Sequence, residues 1–298
     1  MNQEANRGYT GIMAPMVTPF TEDEELDEAA LRRHTNFLIE AGVHMLFPVC
    51  TTGEAWTLTR EERTRVCEVV VEEASGRVPV LAGTGALTTR TTVDLTRDAQ
   101  DCGVDGVIVI TPYYLAAPTD EEFYRHYVTV ASATSLPVFP YNHPIQSGLS
   151  MSPDLVARLA EVDNIVGMKD GRELALTMEF IRRTPPSFVV WQGPDNLAFP
   201  GLVIGCAGAI PAVANLAPTL CVELYQAFLS GDWQRARDAQ EKVSLLRNAL
   251  LLGTFPAALK EAMRMTGMPV GTARRPAGAL STENRHRLHQ VLEAVGVL

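Results

Sequence analysis

Short apolar runs alternate with amphipathic stretches along most of this chain, and that alternation is its tightest structural constraint. Eight runs read as strands: residues 12–17, 45–49, 78–82, 106–110, 138–141, 165–168, 188–191 and 208–210. Most are continuously apolar, as expected of parallel strands buried on both faces. The intervening stretches carry helix signals. Thr59-Arg60-Glu61-Glu62 and Thr119-Asp120-Glu121-Glu122 have capping-box spacing. Ser152-Pro153 offers an N-cap followed by proline at the first helical position. Segments 27–41 and 90–102 run into Gly42 and Gly103, the residue type that commonly follows a helix.

Eight strand–helix units account for the chain from residue 11 to about residue 230, the number a closed (β/α)8 barrel requires. The remainder reads as helix alone, over roughly 232–251, 256–266 and 282–295. The expected architecture is thus an α/β TIM barrel over 1–230, with a C-terminal helical extension over 231–298 packed on it. The alternative is an open doubly wound sheet, but no GxGxxG follows the first strand.

Composition narrows the function classes. At 298 residues and 46% hydrophobic, the chain can bury a large core. A net charge of -10 argues against a phosphate backbone as partner. No uninterrupted apolar run reaches membrane-spanning length, and residues 1–10 lack a signal-peptide core. A cytoplasmic protein with neither nucleic-acid nor membrane partner is expected. The five cysteines include no CxxC pair, and the six histidines show no HxH or HExxH spacing. Reduced thiols and no metal or other cofactor are the expectation.

Barrel chemistry gathers at the carboxyl ends of the strands. Of 25 basic residues only Lys169, Lys242 and Lys260 are lysines. Only Lys169 directly follows a strand run; the other two fall on the late helices. A lysine desolvated there becomes an amine nucleophile, whereas an ordinary one snorkels to water. Tyr141 ends the fifth run and could move protons, or simply pack. Thr51-Thr52-Gly53 follows the second run and offers donors to a small carboxylate, or merely a tight turn. Tyr113 and Tyr114 follow the fourth run with the same ambiguity. Gly193 and Asp195 follow the seventh. Around the eighth, Pro211 removes an N–H and no GxG cradle occurs, which disfavours phosphate. His143 could be an acid/base or a substrate contact, but a lone loop histidine is more often structural or solvent-facing.

Several motifs in order resemble one family along nearly the whole chain: the dihydrodipicolinate synthase / N-acetylneuraminate lyase superfamily of class I pyruvate aldolases. They are Pro15-Met16-Val17-Thr18-Pro19-Phe20, Thr51-Thr52-Gly53-Glu54, Ala82-Gly83-Thr84-Gly85, Thr111-Pro112-Tyr113-Tyr114, Tyr141-Asn142-His143-Pro144 and Gly167-Met168-Lys169-Asp170. The resemblance implies a (β/α)8 lyase working through a lysine Schiff base, commonly a homotetramer built as a dimer of dimers. It gives Lys169 the imine and Tyr141 the general acid/base. It makes Thr51 and Tyr114 partners in a proton relay, with Tyr114 reaching into a neighbouring subunit. Thr52, beside Gly53, would hold the 2-oxo acid's carboxylate, and the Ile210 carbonyl would lie near the lysine.

Departures from the family pattern bear on the substrate. Dihydrodipicolinate synthases carry an arginine that clamps the aldehyde partner's carboxylate, where this chain has Gln146. A neutral amide does not replace a bidentate cation. Sialic acid lyases usually have a threonine two residues after the lysine and an acidic pair after strand seven; here stand Gly171 and Asp195-Asn196. Cys50 replaces the glycine usual before the paired threonines. The expectation is an aldolase or dehydratase acting on pyruvate or a 2-keto-3-deoxy sugar acid, with Gln146 and Gly193 among the binding residues. The alternatives are condensation of pyruvate with aspartate semialdehyde and a ligand-binding barrel without turnover.

Overall fold

The structure, a computed structural model, describes residues 8–171 and 173–298. The first seven residues of the expected barrel segment lie outside the described residues. Eight strands form one parallel sheet: β1 (Gly11–Pro15), β2 (Met45–Phe47), β3 (Leu81–Gly83), β4 (Gly106–Ile110), β5 (Val138–Asn142), β6 (Gly167–Asp170), β7 (Val189–Gln192) and β8 (Gly208–Ala209). Their order is β2-β1-β8-β7-β6-β5-β4-β3, and a parallel bridge between Leu46 and Val80 joins the two ends. The sheet is therefore a TIM barrel, as the alternation predicts, and the open doubly wound alternative is excluded.

Helices cover the outside: α1 (Glu28–Glu40), α2 (Arg60–Ala74), α3 (Thr89–Asp101), α4 (Asp120–Ala131), α5 (Pro144–Ser147), α6 (Pro153–Leu159), α7 (Leu174–Arg183), α8 (Ala198–Val203) and α9 (Pro218–Leu229). Both expected capping boxes form, at Thr59–Glu62 and Thr119–Glu122, and Ser152 caps α6. Beyond the barrel come α10 (Trp233–Ala249), α11 (Ala257–Met265) and α12 (Thr282–Val295). Helix α10 lies against α9 and α12, which ties the last helices to the barrel wall.

Inside the ring, Met13, Met45, Leu81, Ile108, Phe139 and Trp191 are fully or almost fully buried in one cluster. They fill the barrel as a solid core, so only its upper rim is open to chemistry.

The strand boundaries shift in an informative way. The sixth apolar run stops at 168, but β6 continues through Lys169 and Asp170, pairing Lys169 with both Tyr141 and Trp191. A polar residue interrupts the apolar pattern there, yet the ladder continues because the barrel interior turns polar at its mouth. At the third run, Pro79 has no N–H to donate and β3 begins only at Leu81.

Candidate active site

The β5–β6 register sets Tyr141 and Lys169 side by side. Both are 5% exposed. Lys169 Nζ lies 4.2 Å from the centre of the Tyr141 ring and 5.2 Å from that of Phe47. Burial pulls this amine down from 10.5 to about 8, with Cys50 and Asp195 pulling it back only in part. Nearly a tenth is then neutral at pH 7, against a few parts in ten thousand for an ordinary lysine. Gly193 makes room for it. A Cβ at position 193 would come within 3.3 Å of Lys169 Cε and 2.9 Å of the Asp170 carbonyl.

Tyr141 faces a cavity of about 210 Å³ that is also lined by Phe47, Cys50, Thr51, Tyr113 and Gln146. Burial drives its phenol well above the ordinary value, opposed by a hydrogen bond from Thr51. The proton therefore stays on Tyr141 until a developing negative charge takes it.

Thr51 and Thr52 stand on a loop the chain bends with difficulty. Val49 (φ 53) and Glu54 (φ 55) both adopt the left-handed region, which a β-branched valine rarely enters. Strain of this kind persists only where the surroundings impose it, and it gathers at functional sites. Here Pro48 O accepts from Gly83 N–H, Gly53 O accepts from Thr18 Oγ1 at 2.7 Å, and Cys50 Sγ lies 3.5 Å from Met16 O. The N–H groups of Thr52 and Gly53 and the Thr52 hydroxyl act on the Cys50 thiol, although burial dominates and raises its pKa. Three donors thus converge beside the amine.

Ile210 belongs to the same inner cluster as Tyr141 and Phe47, its N–H bonded to Gln192 O. Gln146, on α5, is exposed at the rim. Tyr114 is not brought to the others: it is 97% exposed with φ 63, and Tyr113 takes the place in the cavity wall. The left-handed turn directs the Tyr114 ring outward, away from its own barrel's site.

Sequence reasoning misses Arg63 and the role of Lys260, and leaves His143 open between a substrate contact and a structural residue. His143 does not face solvent. Its ring stacks on Tyr141 at 5.1 Å and 24°, and burial, then Lys169 and Arg247, lowers it to about 3, so it is neutral. Its buried Nδ1 has no hydrogen-bond partner among the described residues. A Cβ on Gly171 would meet that nitrogen at 3.0 Å, so the ring occupies the space a side chain at 171 would need. Arg63, in the first turn of α2, lines the cavity and donates to Ala55 O, while its Nη1 is buried without a partner among the described residues. Lys260, expected to lie away from any strand end, is 1% exposed and paired with Glu54 at 2.6 Å. No spacing rule points to it, because its partner lies far earlier in the chain. Among the described residues, no group of three or more His, Cys, Asp or Glu side chains is placed to hold a metal.

The chain as a whole is similar to known proteins. The dihydrodipicolinate synthetase family model matches residues 8–295. The 4-hydroxy-tetrahydrodipicolinate synthase of Methanopyrus kandleri is 38% identical over 291 residues, covering 97% of each chain. The chain belongs to the dihydrodipicolinate synthetase family. Among solved structures, the prophage protein YagE of E. coli K12, determined in complex with pyruvate, matches with TM-score 0.94 and 34% identity over 97% of this chain and 99% of that one. A monomeric dihydrodipicolinate synthase variant matches with TM-score 0.93 and 33% identity over 97% and 98%. Family membership makes the protein a class I, Schiff-base-forming lyase that takes a small pyruvate-type 2-oxo acid. No described helix is long and apolar enough to cross a membrane.

Proposed function

We propose that the protein cleaves or dehydrates a 2-keto-3-deoxy sugar acid through an imine on Lys169. The observation that carries this reading is the buried Lys169 amine, lowered to about 8 and lying against the Tyr141 ring. Neutral Lys169 attacks the keto carbon, and loss of water leaves a protonated imine. That imine accepts the electron pair of the bond that breaks, a C–C bond in aldol cleavage or a C–H bond ahead of dehydration. Tyr141 moves the protons, with Thr51 as its relay. Thr52 and Gly53 hold the substrate's carboxylate with N–H and hydroxyl donors. The Ile210 carbonyl accepts near the reacting centre. Tyr114, with its ring in solvent in the single chain, completes the relay of a neighbouring subunit in a homotetramer. The barrel over 1–230 does the chemistry in the cytoplasm, and the 231–298 extension braces it.

The tail of the substrate is read by neutral groups. Gln146 offers an amide, and His143 offers a buried, unsatisfied nitrogen suited to a hydroxyl. Borohydride reduction with pyruvate should leave a pyruvyl adduct on Lys169, found by mass spectrometry. A panel of 2-keto-3-deoxy acids should then release pyruvate or lose water. Absence of the adduct would remove the imine reading.

A second reading, condensation of pyruvate with aspartate semialdehyde, is favoured by the activity named for the Methanopyrus relative and by Arg63. That guanidinium lines the cavity with one nitrogen unpaired and is available to a second carboxylate. Condensation assayed beside the panel decides between the two.

A further inference from the structure

Glu54 closes the loop that carries Thr51 and Thr52, and it is held from the far end of the chain. Its side chain is 1% exposed. Lys260 Nζ, on α11, approaches Oε1 at 2.6 Å as an ion pair, off the angle of a well-aligned hydrogen bond. The same ammonium donates to Thr272 O at 3.0 Å and lies 4.2 Å from the centre of the Phe20 ring. Arg274 N–H donates to the other carboxylate oxygen at 2.9 Å. The Arg274 guanidinium grips the chain just beyond the loop, binding Glu62 and the Thr57 carbonyl.

Stability alone explains this poorly. Burying two charges costs hydration that pairing only roughly offsets, and apolar replacements often serve as well. The placement explains it better. Glu54 is left-handed, and its N–H donates to Thr51 O at 3.2 Å. Its carboxylate, held by the Lys260 charge and the Arg274 N–H, therefore fixes the turn in which Thr51 and Thr52 stand. Lys242 makes the contrast: it is exposed on α10.

We propose that Lys260 is a positioning residue: acting through Glu54, it holds Thr51 toward Tyr141 and Thr52 toward the keto acid's carboxylate. This rests on the roles given above to the two threonines. The C-terminal helices thereby become part of the catalytic apparatus without touching substrate.

The test uses full-length Lys260→Met, Glu54→Gln, the double variant Lys260→Met/Glu54→Gln, and Glu54→Asp. Each is measured for melting temperature, for half-saturation of borohydride trapping by pyruvate, and for turnover of whichever substrate the wild type consumes. Either neutralisation alone strands a buried charge, so melting temperature and activity should fall together. The double variant should regain most of its melting temperature while kcat/KM stays at least tenfold down and half-saturation by pyruvate stays raised. Glu54→Asp keeps the charge and shortens the tether by one carbon. It should fold and raise half-saturation severalfold, and it decides the matter if the double variant does not fold. A double variant with wild-type kcat/KM, or Glu54→Asp with unchanged half-saturation, overturns the proposal. A wild type that traps no pyruvate would instead sink the imine reading, so the two failures are distinguishable.

Discussion

Lys169 and Lys260 are both buried, and in both burial pulls the amine below its ordinary value. Their surroundings then diverge. Lys260 has a carboxylate at 2.6 Å and a carbonyl at 3.0 Å, which hold its proton in place although burial brings it, like Lys169, down to about 8. Lys169 has aromatic rings at 4.2 and 5.2 Å, and Cys50 and then Asp195 offset its desolvation only in part. Desolvation alone does not make a nucleophile. The deciding factor is whether the fold supplies a partner for the proton that desolvation makes costly. The molecule uses one lysine as a reagent and the other as a tether.

The sharpest break in that comparison is kinetic. Lys169→Ala should abolish the pyruvate adduct and lower kcat on the order of 10⁴-fold or more, since the covalent route is lost. Circular dichroism should report an intact fold. Tyr141→Phe should cost roughly 10²–10⁴-fold in turnover, the usual range for general acid–base catalysis, while trapping still finds Lys169. If Tyr141→Phe turns over at the wild-type rate, the proton shuttle lies elsewhere.

Stability should separate the two lysines by sign. Burial lowers Lys169 from 10.5 to about 8, so the folded state binds less proton than the unfolded chain. Stability therefore rises with pH across that interval, and the full penalty applies below it. Lys169→Met should relieve that penalty at pH 7, by on the order of 1–3 kcal/mol. Lys260→Met strands Glu54 and should cost about 3–5 kcal/mol. Urea unfolding of both variants checks this, and equal signs would contradict the distinction.

How much of this is legible in the chain depends on the range of the interaction. Eight apolar runs and two capping boxes are local patterns; the runs locate every strand, and the boxes the starts of α2 and α4. Lys169, Tyr141 and Thr51 are legible because each lies at or just beyond the end of an apolar run, and a barrel brings such residues together. Which of Tyr113 and Tyr114 lines the cavity depends on one left-handed residue, and tyrosine does not advertise that conformation. His143 carries only the signal of a loop residue; its burial depends on the room left by Gly171, on the neighbouring strand's end. Lys260 is illegible because its meaning lies in Glu54, across the whole barrel.

The pH dependence gives a smaller, cleaner test of Lys169. With the amine near 8, adduct formation at low pyruvate should rise about tenfold per pH unit below that value and level off above it. An ordinary lysine would keep rising toward pH 10. His143, lowered to about 3, stays neutral across this range and should add no second inflection between pH 5 and 9.

The smallest effect expected is at His143 itself. His143→Phe keeps an aromatic ring against Tyr141 and removes the unsatisfied Nδ1. If that nitrogen meets a substrate hydroxyl, one hydrogen bond is lost, worth roughly 0.5–1.5 kcal/mol, or about two- to twelvefold in KM for a hydroxylated 2-oxo acid. Pyruvate has no hydroxyl tail, so its half-saturation in borohydride trapping should not change. Equal losses for both ligands would make the ring a packing support for Tyr141. A loss confined to the hydroxylated acid would place His143, with Lys169, among the groups that touch substrate, and leave Lys260 as the buried cation that acts only through another residue.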